Sequence, residues 1–143
     1  MPTDLFPDAE VGQCINEEDA VIKSFVAGGA ITKGYPVKFS DKNVWPPEVV
    51  AAGAGERSIG VALKAAAAAG DVIPVAVDNA MVKVTLGAAM ACGAALKTAA
   101  NGKFVAALAA DHNVAIGTLM QKTTADGDTG IILVKANFLG VGT

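Results

Sequence analysis

Apolar and polar positions alternate in short runs along most of this chain, and the runs stop at Gly, Asn or Asp. Segments 21–26 (VIKSFV), 36–39 (PVKF), 58–63 (SIGVAL), 71–77 (DVIPVAV), 81–86 (MVKVTL), 103–108 (KFVAAL), 115–120 (AIGTLM) and 130–136 (GIILVKA) are rich in β-branched residues. This predicts strands, because such side chains fit a pleated, half-buried surface. Asn101-Gly102, between Leu96 and Phe104, predicts a hairpin, since the tight turn needs positive φ; Asp126-Gly127-Asp128 predicts a second turn of this kind. The alanine run 65–69 is the competing helical signal. Five residues do not nucleate an isolated helix and Gly70 ends the run, so a single helical turn between two strands is expected there. Many short strands at regular spacing predict an all-β fold, a small β-barrel or β-sandwich.

The same pattern occurs twice. Residues 59–77 (IGVALKAAAAAGDVIPVAV) align without gaps on 116–134 (IGTLMQKTTADGDTGIILV) at an offset of 57, matching Ile59-Gly60 with Ile116-Gly117 and Gly70-Asp71 with Gly127-Asp128. Upstream, 28–39 aligns with 87–98 at an offset of 59, matching Gly28, Ala30, Gly34 and Lys38 with Gly87, Ala89, Gly93 and Lys97. The first copy is thus two residues longer between the blocks, where Trp45-Pro46-Pro47 lies. The order of features repeats as well: strand, Gly turn, strand, loop, Ile-Gly strand, Gly-Asp turn, strand. Repeats at a fixed period are read before local signals. The expectation is one β domain over 21–143, built from two similar strand-turn-strand halves at about 21–80 and 81–136, behind an extended N-terminal arm over 1–20.

Charge sharpens that division. Six of the 14 acidic residues and none of the 11 Lys and Arg fall in residues 1–20, so the arm carries −6 and the remainder +3. No basic cluster appears and the pI is near 5.0; a phosphate backbone needs several converging cations, so no nucleic-acid partner is expected. Apolar residues make up 52% of the 143, aromatics only 5%, and mean hydropathy is +0.46. The core is therefore aliphatic and built from small side chains. The longest uncharged apolar stretch, 84–96, is interrupted by Gly87 and Gly93, whereas a spanning helix needs roughly 20 apolar residues; no membrane partner is expected. The first twenty residues lack the basic and apolar regions of a secretory leader.

Candidate chemistry is sparse. Cys14 and Cys92 make no disulfide framework; both are read as free thiols, Cys92 as a small buried hydrophobe. One histidine, His112 in a polar Asp-His-Asn turn, is too few ligands for a structural zinc and lacks an oriented nucleophile. Asp71 and Asp128 follow glycines at repeat-equivalent places, which makes them turn formers before a carboxylate pair. Gly34, Gly70, Gly93, Gly102 and Gly127 are read as turn-forming with them. No phosphate-binding glycine loop opens a helix. Neither an enzyme nor a bound cofactor or metal is expected.

The order Gly28, Ile31, Gly34, Val37, then residues 59–63, 66–71 and 75–77, resembles the bacteriophage head-decoration, or capsid cement, proteins. The similarity runs on through Val82, Val84, Gly93, Leu96, Ile116-Gly117 and 131–134, about residues 21–136 in all. The chain departs from that pattern in having Thr-Thr-Ala-Asp before the second Gly-Asp, and in its longer acidic arm. The resemblance implies a virion structural protein on the outer surface of an icosahedral head, bridging major capsid protein subunits and associating with itself as a homotrimer. Contact residues expected on that reading are Leu5, Phe6 and Val11 of the arm, which would reach away from the barrel, and Trp45, Pro46 and Pro47 of the longer loop. The alternative is a carbohydrate- or receptor-binding β module of a virion, for which Trp45 and Tyr35 are the available aromatics.

Overall fold

The computed structural model describes residues 8–40, 42, 44–111 and 114–135. Ten strands account for most of them. β1 (Val21–Ala27), β2 (Pro36–Phe39), β3 (Glu48–Ala51), β4 (Gly60–Ala62) and β5 (Val72–Asp78) form a closed barrel in the order β1-β3-β2-β4-β5. β6 (Ala80–Thr85), β7 (Ala95–Thr98), β8 (Phe104–Ala106), β9 (Gly117–Leu119) and β10 (Thr129–Val134) form a second sheet in the order β6-β10-β9-β7-β8. Stepping each strand of the first set by five gives the second ring: β6 stands for β1, β10 for β5, β9 for β4, β7 for β2 and β8 for β3. The parallel pairing of β1 with β3, through Ala27 and Val49, has its counterpart in the parallel bridge of Leu86 with Phe104. The two halves share one circular strand order.

The equivalence extends to single hydrogen bonds. Gly34 N–H donates to Ala62 O at 2.8 Å and Gly93 N–H to Leu119 O at 2.7 Å; Gly70 N–H donates to Ala27 O at 2.8 Å and Gly127 N–H to Leu86 O at 2.9 Å. Gly60 and Gly117 open β4 and β9 where a Cβ would collide with the carbonyl oxygens of Ala76 and Leu133 respectively. Only glycine lets the neighbouring strand come that close. The Ile-Gly pairs are therefore packing positions, and the offset of 57 marks the same contact in each half.

Both Gly-Asp turns have one construction. Gly70 and Gly127 have φ of +97° and +93°. The Asp71 carboxylate accepts from the N–H groups of Ala67 and Ala68, and Asp128 from those of Thr124 and Ala125. This corrects the helical turn expected over 65–69. Ala66 instead pairs with Ile31 as an isolated bridge, as Thr123 does with Met90, and Asp71 takes the amides that a helix would have used. Short 3-10 turns occur elsewhere, at Ala100–Gly102 and Ala109–Asp111. The first contains the Asn101-Gly102 hairpin, with both residues at positive φ.

Two apolar clusters underlie the halves. One fills the first barrel (Ala27, Ile31, Val37, Val49, Ala62, Ala66, Ile73, Val75). The other fills the second half around Phe104, Leu86, Leu96, Leu119 and Ile132, and takes in Val61 and Ala76 from the outside of the first barrel. The halves are joined through Asn79 alone between β5 and β6. Asn16 braces that junction, donating to Asn79 O and accepting from Met81 N–H.

Residues 8–20 do not reach away from the barrel as expected; they lie along β6. Gly12 and Ile15 donate to Lys83 O and Met81 O, and Lys83 N–H donates back to Gln13 O. Paired backbone groups hold this stretch to the body more strongly than its carboxylates draw it into water. Both cysteines are free thiols, as expected, but Cys92 is exposed and not buried, and Cys14 is the buried one. β6 carries Cys14 into the second core, and burial pushes its thiol pKa up. No helix among the described residues is long and apolar enough to cross a membrane.

Candidate contact surface

The longer loop of the first copy is where apolar side chains leave the core. β2 ends at Phe39, and Ser40 N–H donates to Glu48 O at 2.8 Å, closing a hairpin onto β3. Pro46 and Pro47, between these points, have no N–H to give the sheet. Trp45 at the loop tip is 89% exposed, with Val44 and Phe39 about half exposed beside it. A cleft lined by Phe39, Ser40, Val44, Pro47 and Glu48 lies under the loop. On the other side Phe39 meets Phe25 edge to face, with ring centroids 5.8 Å apart, a favoured arrangement of aromatic quadrupoles.

That aromatic pair belongs to the mouth of the first barrel. A groove of about 380 Å³ opens there, floored by Val21, Phe25, Phe39, Ile59 and Val77 with Ile116 of the second half, and flanked by Lys23, Arg57, Lys135 and Asp78. The hydroxyl of Ser58, also in the groove, is shielded from solvent and has no hydrogen-bond partner among the described residues. The equivalent positions of the second half are Ala80, Val84, Thr98, Ile116 and Val134, all fully or almost fully buried. Thr98 Oγ1 donates to the carbonyls of Gly53 and Glu56, and Gly55 N–H donates to Thr98 O. A loop of the first half thus lies on the second mouth. The first mouth has no such cover among the described residues.

A repeated ion pair stiffens the neighbouring loops. Lys38 of β2 meets Glu56 and Lys97 of β7 meets Asp111. Each carboxylate also accepts a backbone N–H from its own loop, Gly53 for Glu56 and Leu108 for Asp111. The Lys38 hydrogen bond, then that of Gly53, holds Glu56 below the usual carboxylate range; the Leu108 amide, then Lys97, does so for Asp111. Asp128 is lowered by the amide and hydroxyl of Thr124 and the amide of Ala125. These groups stabilise loops and are already engaged. Among the described residues no cluster of His, Cys, Asp and Glu could hold a metal ion.

The expected contact residues separate into three groups. Leu5 and Phe6, like His112, lie outside the described residues. Val11 is half-buried, its side chain against Gly34 where a Cβ would collide with it. Trp45 and Pro46 are exposed and Pro47 half-buried at the loop tip. Tyr35 lies on Gly102 of the second half, at the opposite end of β2 from the Trp45 loop, so these two aromatics do not assemble one platform. Gly34 and Gly93 have φ of +88° and +93°, turning the chain into β2 and β7. Phe39 escaped notice in the sequence, although the alignment of 28–39 on 87–98 sets it opposite Thr98. A large aromatic opposite a small polar residue was the available signal.

No family model and no curated protein sequence matches the chain. Among solved structures, the chain is similar to the head fiber gp8.5 N base of bacteriophage phi29, with a TM-score of 0.62 and 19% identity. The likeness covers 80% of this chain and 93% of that one. At this identity it establishes a shared fold.

Proposed function

We propose that the chain is a structural protein of a phage head, seated on the outer surface of the shell and bridging major capsid protein subunits. The observation that carries the reading is Trp45, 89% exposed on a loop braced by the Ser40–Glu48 hydrogen bond, beside the half-exposed Phe39. A tryptophan that serves no core and no assembled polar site is the kind of side chain that anchors a protein interface. The fold shared with a head fiber base of phi29 supports a place on a virion. Trp45, Pro46 and Pro47 are assigned to the shell, Leu5 and Phe6 to a neighbouring copy within a homotrimer. The small residues of the chain, Ala 29 times in 143, suit close approach between subunits.

Co-sedimentation with purified heads that lack the protein tests this reading. The wild-type chain is expected to pellet with the heads and Trp45→Ala to lose at least tenfold in apparent affinity, with its unfolding midpoint unchanged. Equal binding by both proteins would remove Trp45 from the interface, and no binding by either would end the reading.

A further inference from the structure

The two mouths are built on equivalent strands, yet one is sealed by a loop of the other half and the other has no such cover among the described residues. The open one has a definite chemistry. Its floor is aliphatic and aromatic, and three cations and one carboxylate flank it. An occupant that matches is a short extended segment with bulky apolar side chains between carboxylates. The chain carries one such segment, Asp4-Leu5-Phe6-Pro7-Asp8, in which Pro7 favours extended backbone at Phe6. We infer that the open mouth of the first barrel is the seat for this segment of a second copy. The inference rests on the self-association in the reading above and names the surface that carries it.

Geometry favours a second copy over the same chain. Residues 12–15 run antiparallel to β6, which carries the chain away from the mouth as it is followed back towards the N-terminus. Glu10 pairs with Lys33, and Gly12 lies against Gly34, at the end of β2 opposite Phe39. The described chain thus reaches, at Glu10–Gly12, the end of the barrel opposite its own mouth. Entry into a neighbour's mouth needs no reversal of direction. A contact of this head-to-tail type joins two different surfaces and generates a closed ring when the rotation permits, which agrees with a trimer. Carboxylates beside Lys23, Arg57 and Lys135 would hasten encounter and make it salt-dependent.

Two proteins, Phe6→Cys and Val77→Cys, both in a Cys92→Ser background in which the buried Cys14 is the only other thiol, test this when mixed and mildly oxidised as full chains. The expected product is a disulfide-linked species of twice the chain mass that appears only in the mixture. In parallel, sedimentation should show Leu5→Asp/Phe6→Asp falling from three chain masses to one with its circular dichroism unchanged, and the wild type dissociating as salt rises. No mixed disulfide, together with an unchanged mass for the double variant, overturns the inference. So does a mass that changes only when residues 136–143 are removed. Particle binding is scored separately. Ring formation without binding to heads keeps this inference and fails the functional reading; binding to heads at full occupancy by the double variant, with no cross-link, does the reverse.

Discussion

The first and second halves share strand order, glycine contacts and Asp-capped turns, and differ in what closes their mouths. Phe39 is half exposed and its counterpart Thr98 is 1% exposed under the loop of residues 53–56. Lys23 and Phe25 of the open mouth correspond to Val82 and Val84 of the closed one, both with no exposure. One repeat has become a core and the other has kept a surface. A tandem repeat in one chain makes the two copies inequivalent, because the chain order lets the first half cover the second while nothing described covers the first. The wider implication is that in a duplicated fold the uncovered copy is the place to look for a binding surface.

The comparison breaks most visibly at its aromatic residues. Phe104→Ala, in the sealed half, is expected to cost about 3–5 kcal/mol by chemical denaturation, the usual penalty for emptying a buried aromatic site. Phe39→Ala should cost no more than about 1 kcal/mol, since half of its surface is already in water. Equal losses would mean that the first mouth is sealed in solution. Next in size are Gly60→Ala and Gly117→Ala, where a methyl meets the carbonyls of Ala76 and Leu133. Each is expected to cost about 1–3 kcal/mol from overpacking, and a large difference between them would undo the structural equivalence of the halves. Asp71→Ala and Asp128→Ala remove matched turn caps and should each cost about 1 kcal/mol, as loss of a capping side chain does.

Acid provides the mildest comparison. Glu56, Asp111 and Asp128 have their pKa values lowered by hydrogen bonds and, for the first two, by a lysine. A carboxylate held below its ordinary value adds stability that is complete above that value, and this is lost as pH falls through the lowered one. The unfolding midpoint is expected to be flat between pH 6 and 8 and to decline below about pH 4. Lys97→Met should lower the neutral plateau slightly and flatten the acid limb, and Lys38→Met should do the same. If only one of the two has this effect, the paired lysines are not equivalent.

Much of this architecture was legible because it rests on local constraints. The Ile-Gly and Gly-Asp pairs recur at an offset of 57 since each satisfies a contact that tolerates no Cβ or a turn that needs positive φ. β3 was not legible. Glu-Val-Val-Ala follows two prolines within what reads as a loop, and it becomes a strand through a hairpin with β2 and a parallel pairing to β1. The alanine run misled because intrinsic helix propensity is weak against a carboxylate two to four residues onward that accepts the same amides. The burial of Cys14 has a similar origin, since Cys14 is drawn inward by backbone pairing with β6 and no feature near Cys14 announces that partner. The contact surface was half legible: the Trp45-Pro46-Pro47 insertion stood out as the length difference between copies. Whether a mouth is open depends on which half covers which, and that is a tertiary property.

Electron cryomicroscopy of purified particles containing the chain tests most simply the proposal that the first half meets a phage shell through the Trp45 loop. Outer-surface density of two similar lobes is expected for each 14.3 kDa subunit, with the Trp45 loop of the first barrel pressed against the shell. Particles without such density, or subunits whose Trp45 loop faces solvent while another surface makes the contact, would contradict it.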